Sequence, residues 1–347
     1  MATQLYSTVV ARNLLRAEMQ MLKHAEPIQV LTRFGDQKQQ PLNKTDTVVF
    51  RRLKPFNATA TEVANITAAN FITAEGVTPT ANTISYTDVT TTLNQYAVLF
   101  KFSSKAQMMY EDDIPADMAK LTGETLAMVA EKVCYGQVRA GTSVIYANGD
   151  TRPGINTAIS LNDFRLAART MENNMARQVT SAVKSGPDFG VSSVEPAYVV
   201  FIHTDMLADI RDIAGFTKRV DYGSQITPVH PREVGAIEEF RIVTSPLFAP
   251  FLAGGAAVST SGMLAADTAT IDVYPAIVMA ESAWGQVSLK GHGHSGVSPT
   301  ILPANVKTHG NPGGMIGYVG ADFWLSSVRL NENWMTRIEA AVTDISG

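Results

Sequence analysis

The stretch "TDVTTTLNQYAVLFKFSS", residues 87–104, decides how the rest of the chain is read. Thr, Val, Leu, Tyr and Phe dominate it, and neither Gly nor Pro interrupts Asp88 to Phe102. That composition predicts one uninterrupted β-strand. At about 3.3 Å per residue it would span roughly 50 Å. An ordinary globular strand has about five or six residues. The apolar pattern also changes face. Val89, Thr91 and Leu93 share one side, and Tyr96, Val98, Phe100 and Phe102 share the other, with the switch near Asn94 and Gln95. A strand lying in two environments along its length has this pattern.

Upstream, "TVVFRRLKPF", 47–56, predicts a second strand, ended by Pro55. Residues 57–86 between the two are rich in Thr, Ala and Asn, with Glu62 and Glu75 as their charges and Gly76 and Pro79 as turn formers. A tip of this length far exceeds the usual hairpin loop of about 2–5 residues. The two strands and the tip between them therefore read as a projecting β-ribbon. An isolated two-stranded ribbon is marginal in water, so it is expected to rest on a neighbouring copy. Val89, Thr91 and Leu93 on the return limb, with Ile72 and Val77 at the tip, are the expected intersubunit contacts. Tyr96–Phe102 is the expected anchor in the ribbon's own subunit.

Further elements follow from spacing. Residues 8–24 carry a helical pattern at Val10, Leu14, Ala17 and Met21. A short strand at 28–34 and a polar linker, "GDQKQQPLNKTD", come next. "SSKAQMMYE" is a short helix with Ser103 or Ser104 as its cap. The longest helix starts at "DDIP", with Pro115 in its first turn and Asp112, Asp113 and Asp117 at its positive end; it stops at Gly141. Its predicted buried stripe is Met118, Leu121, Met128, Val129 and Val133. A second long helix is predicted over Leu161–Val183, burying Phe164, Ala168, Met171, Met175 and Val179. "YVVFIHTD", "EFRIVTSP", "IDVYPAIVMA" and "WGQVSLKG" read as strands, and "DFWLSSVRLNENWMTRIEAAV" as two strands turned at Asn331–Asn333. The fold class is α+β without internal repeats.

The chain has 347 residues, 45% hydrophobic and 17% charged, enough for a substantial core and two or more domains. Its single cysteine, Cys134, excludes an intramolecular disulfide framework and reads as a small core residue. The N-terminus has no apolar run of signal-peptide type, and the most apolar window, "FAPFLAGGAAV", is too short to span a bilayer. Residues 1–55 hold nine Lys or Arg against four Asp or Glu, while the whole chain is −4. Such a balance does not suit a tight nucleic-acid binder. The mildly basic arm, with Arg12, Arg16 and Lys23, is compatible with a place near polyanion and, on charge alone, equally with a solvated arm that has no partner.

No catalytic set assembles from the sequence. "GHGHSG", 291–296, offers His292 and His294 on one side of a would-be strand, with His309 further on. Two histidines in a flexible glycine loop fall short of the three or four rigidly held ligands a metal needs, so this reads as a polar surface loop. "NPGGMIGYVGADF" does not match a phosphate-binding glycine pattern, and a strand rather than a helix follows it. Asp112–Asp113 reads as helix-start acids. No enzyme activity, cofactor or metal is expected. An enzyme of α+β class and an extracellular adhesin with β-arms are the rival readings, opposed by the missing catalytic set and the missing signal.

These pieces, in this order, resemble the major capsid proteins of tailed bacteriophages with the Hong Kong 97-like fold, in the branch typified by the coat protein of phage N-four. The resemblance covers nearly the whole chain. It rests on "LNKTDTVVFRR", "EGVTPTANTISYTDVTTTLNQYAVLFKFSSK", "YVVFIHTDMLADIRD", "REVGAIEEFRIVTSP", "VYPAIVMAESAWGQVSL" and, most specifically, "GYVGADFWLSSVRLNENWMTRIEAA". It implies an N-arm at 1–45 and an extended E-loop at 46–102 that overlies a neighbour. It also implies a peripheral domain at 103–155 and 276–347 containing the spine helix, and an axial domain at 156–275. The implied function is self-assembly, as pentamers and hexamers, into an icosahedral head around double-stranded DNA held by weak non-specific contact. The chain starts at the arm, so a separate scaffolding protein is expected. A portal, and in some relatives a decoration protein, complete the partner set, with no membrane. The implied location is the virion, assembled in the host bacterial cytoplasm. No Lys–Asn crosslinking pair is assignable. An encapsulin-like non-viral compartment of the same fold is the alternative.

Overall fold

The computed structural model describes residues 28–53, 72–78, 84, 86–109, 111, 113–183, 191–223, 227–258, 262–267, 269–292, 296–307 and 309–345. In chain order, strands β1 (Asp36–Gln40), β2 (Thr47–Leu53), β3 (Tyr86–Thr92) and β4 (Asn94–Ser103) lead into helices α1 (Ser104–Met109) and α2 (Ile114–Arg139). Then come β5 (Val144–Tyr146), α3 (Leu161–Asn173), β6 (Val179–Val183), β7 (Val191–Ile202), α4 (Leu207–Asp212), β8 (Thr217–Lys218), β9 (Glu233–Ile237) and β10 (Phe240–Thr244). The chain closes with β11 (Tyr274–Met279), β12 (Trp284–Leu289), β13 (Val297–Leu302), β14 (Ile316–Arg329) and β15 (Met335–Ala340).

Two sheets carry the body. In the first, β14 is the centre: β4 pairs along one side, β12 and β13 in succession along the other, and β1 pairs parallel to β12. In the second the order is β5-β15-β11-β7-β10-β9-β8, with β6 also on β7. Strand β7 is buried on both faces, which is why "YVVFI" reads as a continuous apolar run. Val199 and Phe201 enter the core shared with Leu126, Ala130 and Cys134 of α2 and Val319 and Phe323 of β14. Tyr198, Val200 and Ile202 face a second core with Phe164, Ala167 and Met171 of α3.

Five sequence expectations are corrected. The long strand is two strands broken at Leu93, because the two halves pair with different partners. Residues 31–33 form a single 3-10 turn rather than a strand. The polar linker contains β1, which needs no apolar residue because it is an exposed edge held by backbone pairing. The stripe of α2 is centred elsewhere: its buried residues include Ala119, Leu126, Ala127, Ala130, Cys134, Tyr135 and Val138, while the expected Met118, Val129 and Val133 pack partly buried at its edge and Leu121 is 46% exposed. Small residues let the helix sit close to the sheet. Finally, α3 stops at Asn173: Met175 takes a left-handed φ of 52° and is exposed, and Val179 belongs to β6. The Asn174 side-chain amide donates to the Thr170 carbonyl at 2.8 Å, and the Trp334 indole donates to the Asn174 carbonyl at 3.1 Å. The carbonyls at the helix end are thus satisfied without another turn.

Candidate assembly interface

Strands β2 and β3 form a two-stranded ribbon, antiparallel over seven positions from Thr47↔Thr92 to Leu53↔Tyr86. Cross-strand partners Arg51 and Asp88 pair through two hydrogen bonds of 2.8 Å. That contact raises the arginine pKa and lowers the aspartate's, on a surface where both stay solvated. The Arg51 guanidinium also lies 5.6 Å from the Tyr86 ring.

The root of the ribbon is fixed by the change of partner at Leu93. Below it, β4 pairs with β14 over ten positions, from Asn94↔Leu325 to Ser103↔Ile316. Tyr96, Val98 and Phe102 pack into the α2 core, with Tyr96 stacked on Phe323 at 5.5 Å. Above it, the Thr91 hydroxyl is hydrogen-bonded to the Ser326 hydroxyl, and Leu93 joins Val48 and Val287 in a small core with Phe50, Leu289 and Trp324. Lys38 of β1 donates to the Val49 carbonyl at 2.6 Å and sits 5.1 Å from the Phe50 ring. A methyl group on Gly285 would come within 3.2 Å of that ring, so glycine lets the ribbon lie close.

This geometry corrects one expected contact. Leu93, expected against a neighbour, is 5% exposed and enclosed by its own chain. At Val48 and Leu93 the ribbon lies on its own sheet. Val89 and Thr91 are half-buried along the same root. Ile72 and Val77 are 80% and 60% exposed, and Ile84 and Tyr86 are exposed with them. Arg12, Arg16 and Lys23 lie outside the described residues, as do His294 and Asp112.

A second fixed point, unforeseen from the sequence, joins the chain after residue 28 to α2. The Glu131 carboxylate is buried and accepts the backbone amides of Val30 at 3.2 Å, Leu31 at 2.7 Å and Thr32 at 3.4 Å. Burial pushes its pKa up to about 7, against the opposing pull of these amides and of Arg232. His230, against Phe34 at 5.9 Å, is pushed down to about 4 by burial and by the charge of Arg33. The signal was present: Glu131 follows Ala127 by four residues on the inward stripe of α2, where a charge must find buried partners.

The remaining candidates are placed plainly. Cys134 is buried against Gln286, and burial pushes its thiol pKa up. His292 contacts Asp322 at 2.7 Å, and Gln95 donates to the same carboxylate oxygen at 2.8 Å. Among the described residues no group of three His, Cys, Asp or Glu side chains could hold a metal, and no helix is long and apolar enough to cross a membrane.

A family described as phage capsid protein matches residues 86–299, more than half of the chain. The chain belongs to the phage capsid protein family. The capsid protein is also similar in fold to solved phage shells. The capsid of Ralstonia phage GP4 shares 10% identity at a TM-score of 0.63, over 90% of this chain and 88% of that one. The head of Helicobacter pylori bacteriophage KHP40 shares 9% at 0.59, over 88% and 87%. The capsid of cyanophage P-SCSP1u shares 12% at 0.55, over 90% and 88%. No curated protein sequence matches the chain. The α+β architecture is thus the Hong Kong 97-like capsid fold, and the chain is a major capsid protein, a structural component of the virion. The family match does not favour the non-viral compartment.

Proposed function

We propose that this capsid protein closes, as pentamers and hexamers, into an icosahedral shell around packaged double-stranded DNA, and that the β2–β3 ribbon is the arm each copy lays on the next. The observation that carries the reading is the contrast along the ribbon. Its root is buried on its own sheet at Leu93 and Val48, while Ile72, Val77, Ile84 and Tyr86 further out are exposed apolar side chains. Apolar side chains on a thin ribbon gain little from their own subunit and much from a neighbour's surface. In this reading residues 1–45 are the N-arm, 46–102 the E-loop, 103–155 with 276–347 the peripheral domain, and 156–275 the axial domain. The basic N-arm, with Arg12, Arg16 and Lys23, faces DNA and holds it weakly. Assembly takes place in the host cytoplasm with a separate scaffolding protein and a portal, and a decoration protein is an optional outer partner. Within the family, the phage N-four-like branch is the one the sequence resembles. The test is electron microscopy of the purified full-length chain with its scaffold: closed particles of uniform diameter support the reading, and a soluble subunit that never closes overturns it.

A further inference from the structure

At the C-terminal end of α2 three arginines converge on one aromatic ring. The guanidinium carbons of Arg139 and Arg152 each lie 3.6 Å from the Phe251 centroid. Two groups at that distance from one centre can only occupy opposite faces. Arg337 stands 5.6 Å from the same centroid. One carboxylate serves the group. Glu339, fully buried, takes two 2.7 Å hydrogen bonds from Arg152 and one of 2.7 Å from Arg337. Three cations against one anion leave an excess of two positive charges. Arg337 also donates to the Arg139 and Gly141 carbonyls, so the helix end offsets part of the excess, equivalent to about half a charge.

Arg139 is the member left over. It feels the charge of Glu339, but among the described residues it makes no ion pair or hydrogen bond to a carboxylate, and its side-chain hydrogen bond goes to the Pro250 carbonyl at 3.3 Å. A guanidinium has five N–H donors, and stacking on a ring holds them in one plane with their edges free. Arg152 commits its Nε and one Nη to Glu339 and leaves the other Nη. Asp150, two residues before Arg152, pairs with none of the three arginines. Like charges packed this closely and partly desolvated are costly unless an anion joins them.

We infer that Arg139 and Arg152, held on either face of Phe251, form a receptor for a side-chain carboxylate of a second copy of this chain. The second copy is favoured over a polyanion by two observations. Leu252, next to Phe251, is 66% exposed, and an apolar rim beside a cation pair fits a folded surface rather than a phosphate backbone. Outside residues 1–55 the chain has 28 acidic against 19 basic residues, so carboxylates are abundant on every copy.

This inference rests on the shell-forming reading, and the experiment separates the two. Full-length wild type, Arg139→Met and Arg139→Lys are compared for thermal unfolding of the unassembled subunit and for the critical concentration of assembly. The shell formed by wild type is then imaged by electron cryomicroscopy. Arg139→Met should keep the subunit's melting temperature and raise the critical concentration by at least about tenfold, with Arg139→Lys between it and wild type. In the wild-type shell a carboxylate of another copy should lie within about 4 Å of the Arg139 or Arg152 guanidinium. Nucleic-acid density there, or a receptor open to solvent, overturns the inference even if Arg139→Met proves unable to fold. So does wild-type assembly by a folded Arg139→Met. Failure of wild type itself to close shells would instead refute the function proposed above.

Discussion

Glu131 accepts the amide of Leu31 at 2.7 Å across 100 residues of chain. With Val30 and Thr32 on the same carboxylate, this contact holds the start of the described chain to the long helix. From there β1 runs along the edge of β12, and Lys38 reaches the ribbon at Val49. One buried side chain thus sits beneath the segment that leads into β1 and, through Lys38, to the β2–β3 ribbon.

Removing that acceptor should be felt strongly. Glu131→Ala strands three amides, two of them buried, and each unsatisfied buried donor costs about 1–3 kcal/mol. We expect a loss of roughly 3 kcal/mol in denaturant unfolding of the subunit. Glu131→Gln, which keeps one acceptor oxygen, should lose less than half as much. Equal losses would show that volume, not hydrogen bonding, sets the effect.

The same group makes stability depend on pH in a definite direction. Its pKa is raised from 4.5 to about 7, so the folded state binds the proton more tightly than the unfolded one. Stability from this group is full below pH 4.5 and falls as pH rises through about 7, by on the order of 3 kcal/mol in all. His230 acts oppositely: its pKa falls from 6.5 to about 4, so its contribution is lost on acidification below 6.5. Between pH 4.5 and 6.5 the two slopes cancel. Glu131→Gln should therefore unmask a loss of stability on acidification below 6.5 that wild type lacks, measured by urea unfolding across pH. A variant profile parallel to wild type would contradict the assignment.

Along the ribbon, root and tip should respond differently. Leu93→Asp places a charge in the Val48–Val287 core and should destabilise the subunit by more than about 2 kcal/mol. Val77→Asp, at a 60% exposed position, should leave subunit unfolding unchanged and impair assembly in light scattering. If Leu93→Asp left the subunit as stable as wild type, the buried root would be wrong.

Gly320 tests the close approach of β4 and β14. A Cβ there would overlap the Val98 carbonyl oxygen, a backbone atom that cannot swing aside. Gly320→Ala should cost more than about 2 kcal/mol and lower the melting temperature, where Gly136→Ala, in open space on α2, should raise it.

How much of this could be read from the sequence varied with how local the cause was. The change of face at Asn94–Gln95 was written in alternating side chains, and it marks the place where β4 on β14 gives way to β3 on β2. Strand β1 was invisible because its backbone pairs while its side chains, Asp-Gln-Lys-Gln-Gln, stay in water. The end of α3 does not show in the spacing, because Met175 and Val179 continue a helical pattern that the left-handed turn at Met175 cancels. Glu131 was readable as a charge on an apolar stripe, though its partners 100 residues away were not. The arginines around Phe251 gather from positions 139, 152 and 337, which no local pattern connects.

The central claim is that the ribbon joins one copy to the next. Sedimentation velocity of the full-length chain beside a variant lacking residues 57–86, both under conditions where wild type assembles, tests it most directly. The account predicts fast-sedimenting shells from wild type and only folded subunits or small oligomers from the variant, with cooperative unfolding retained. Shells of wild-type size from the variant would contradict it.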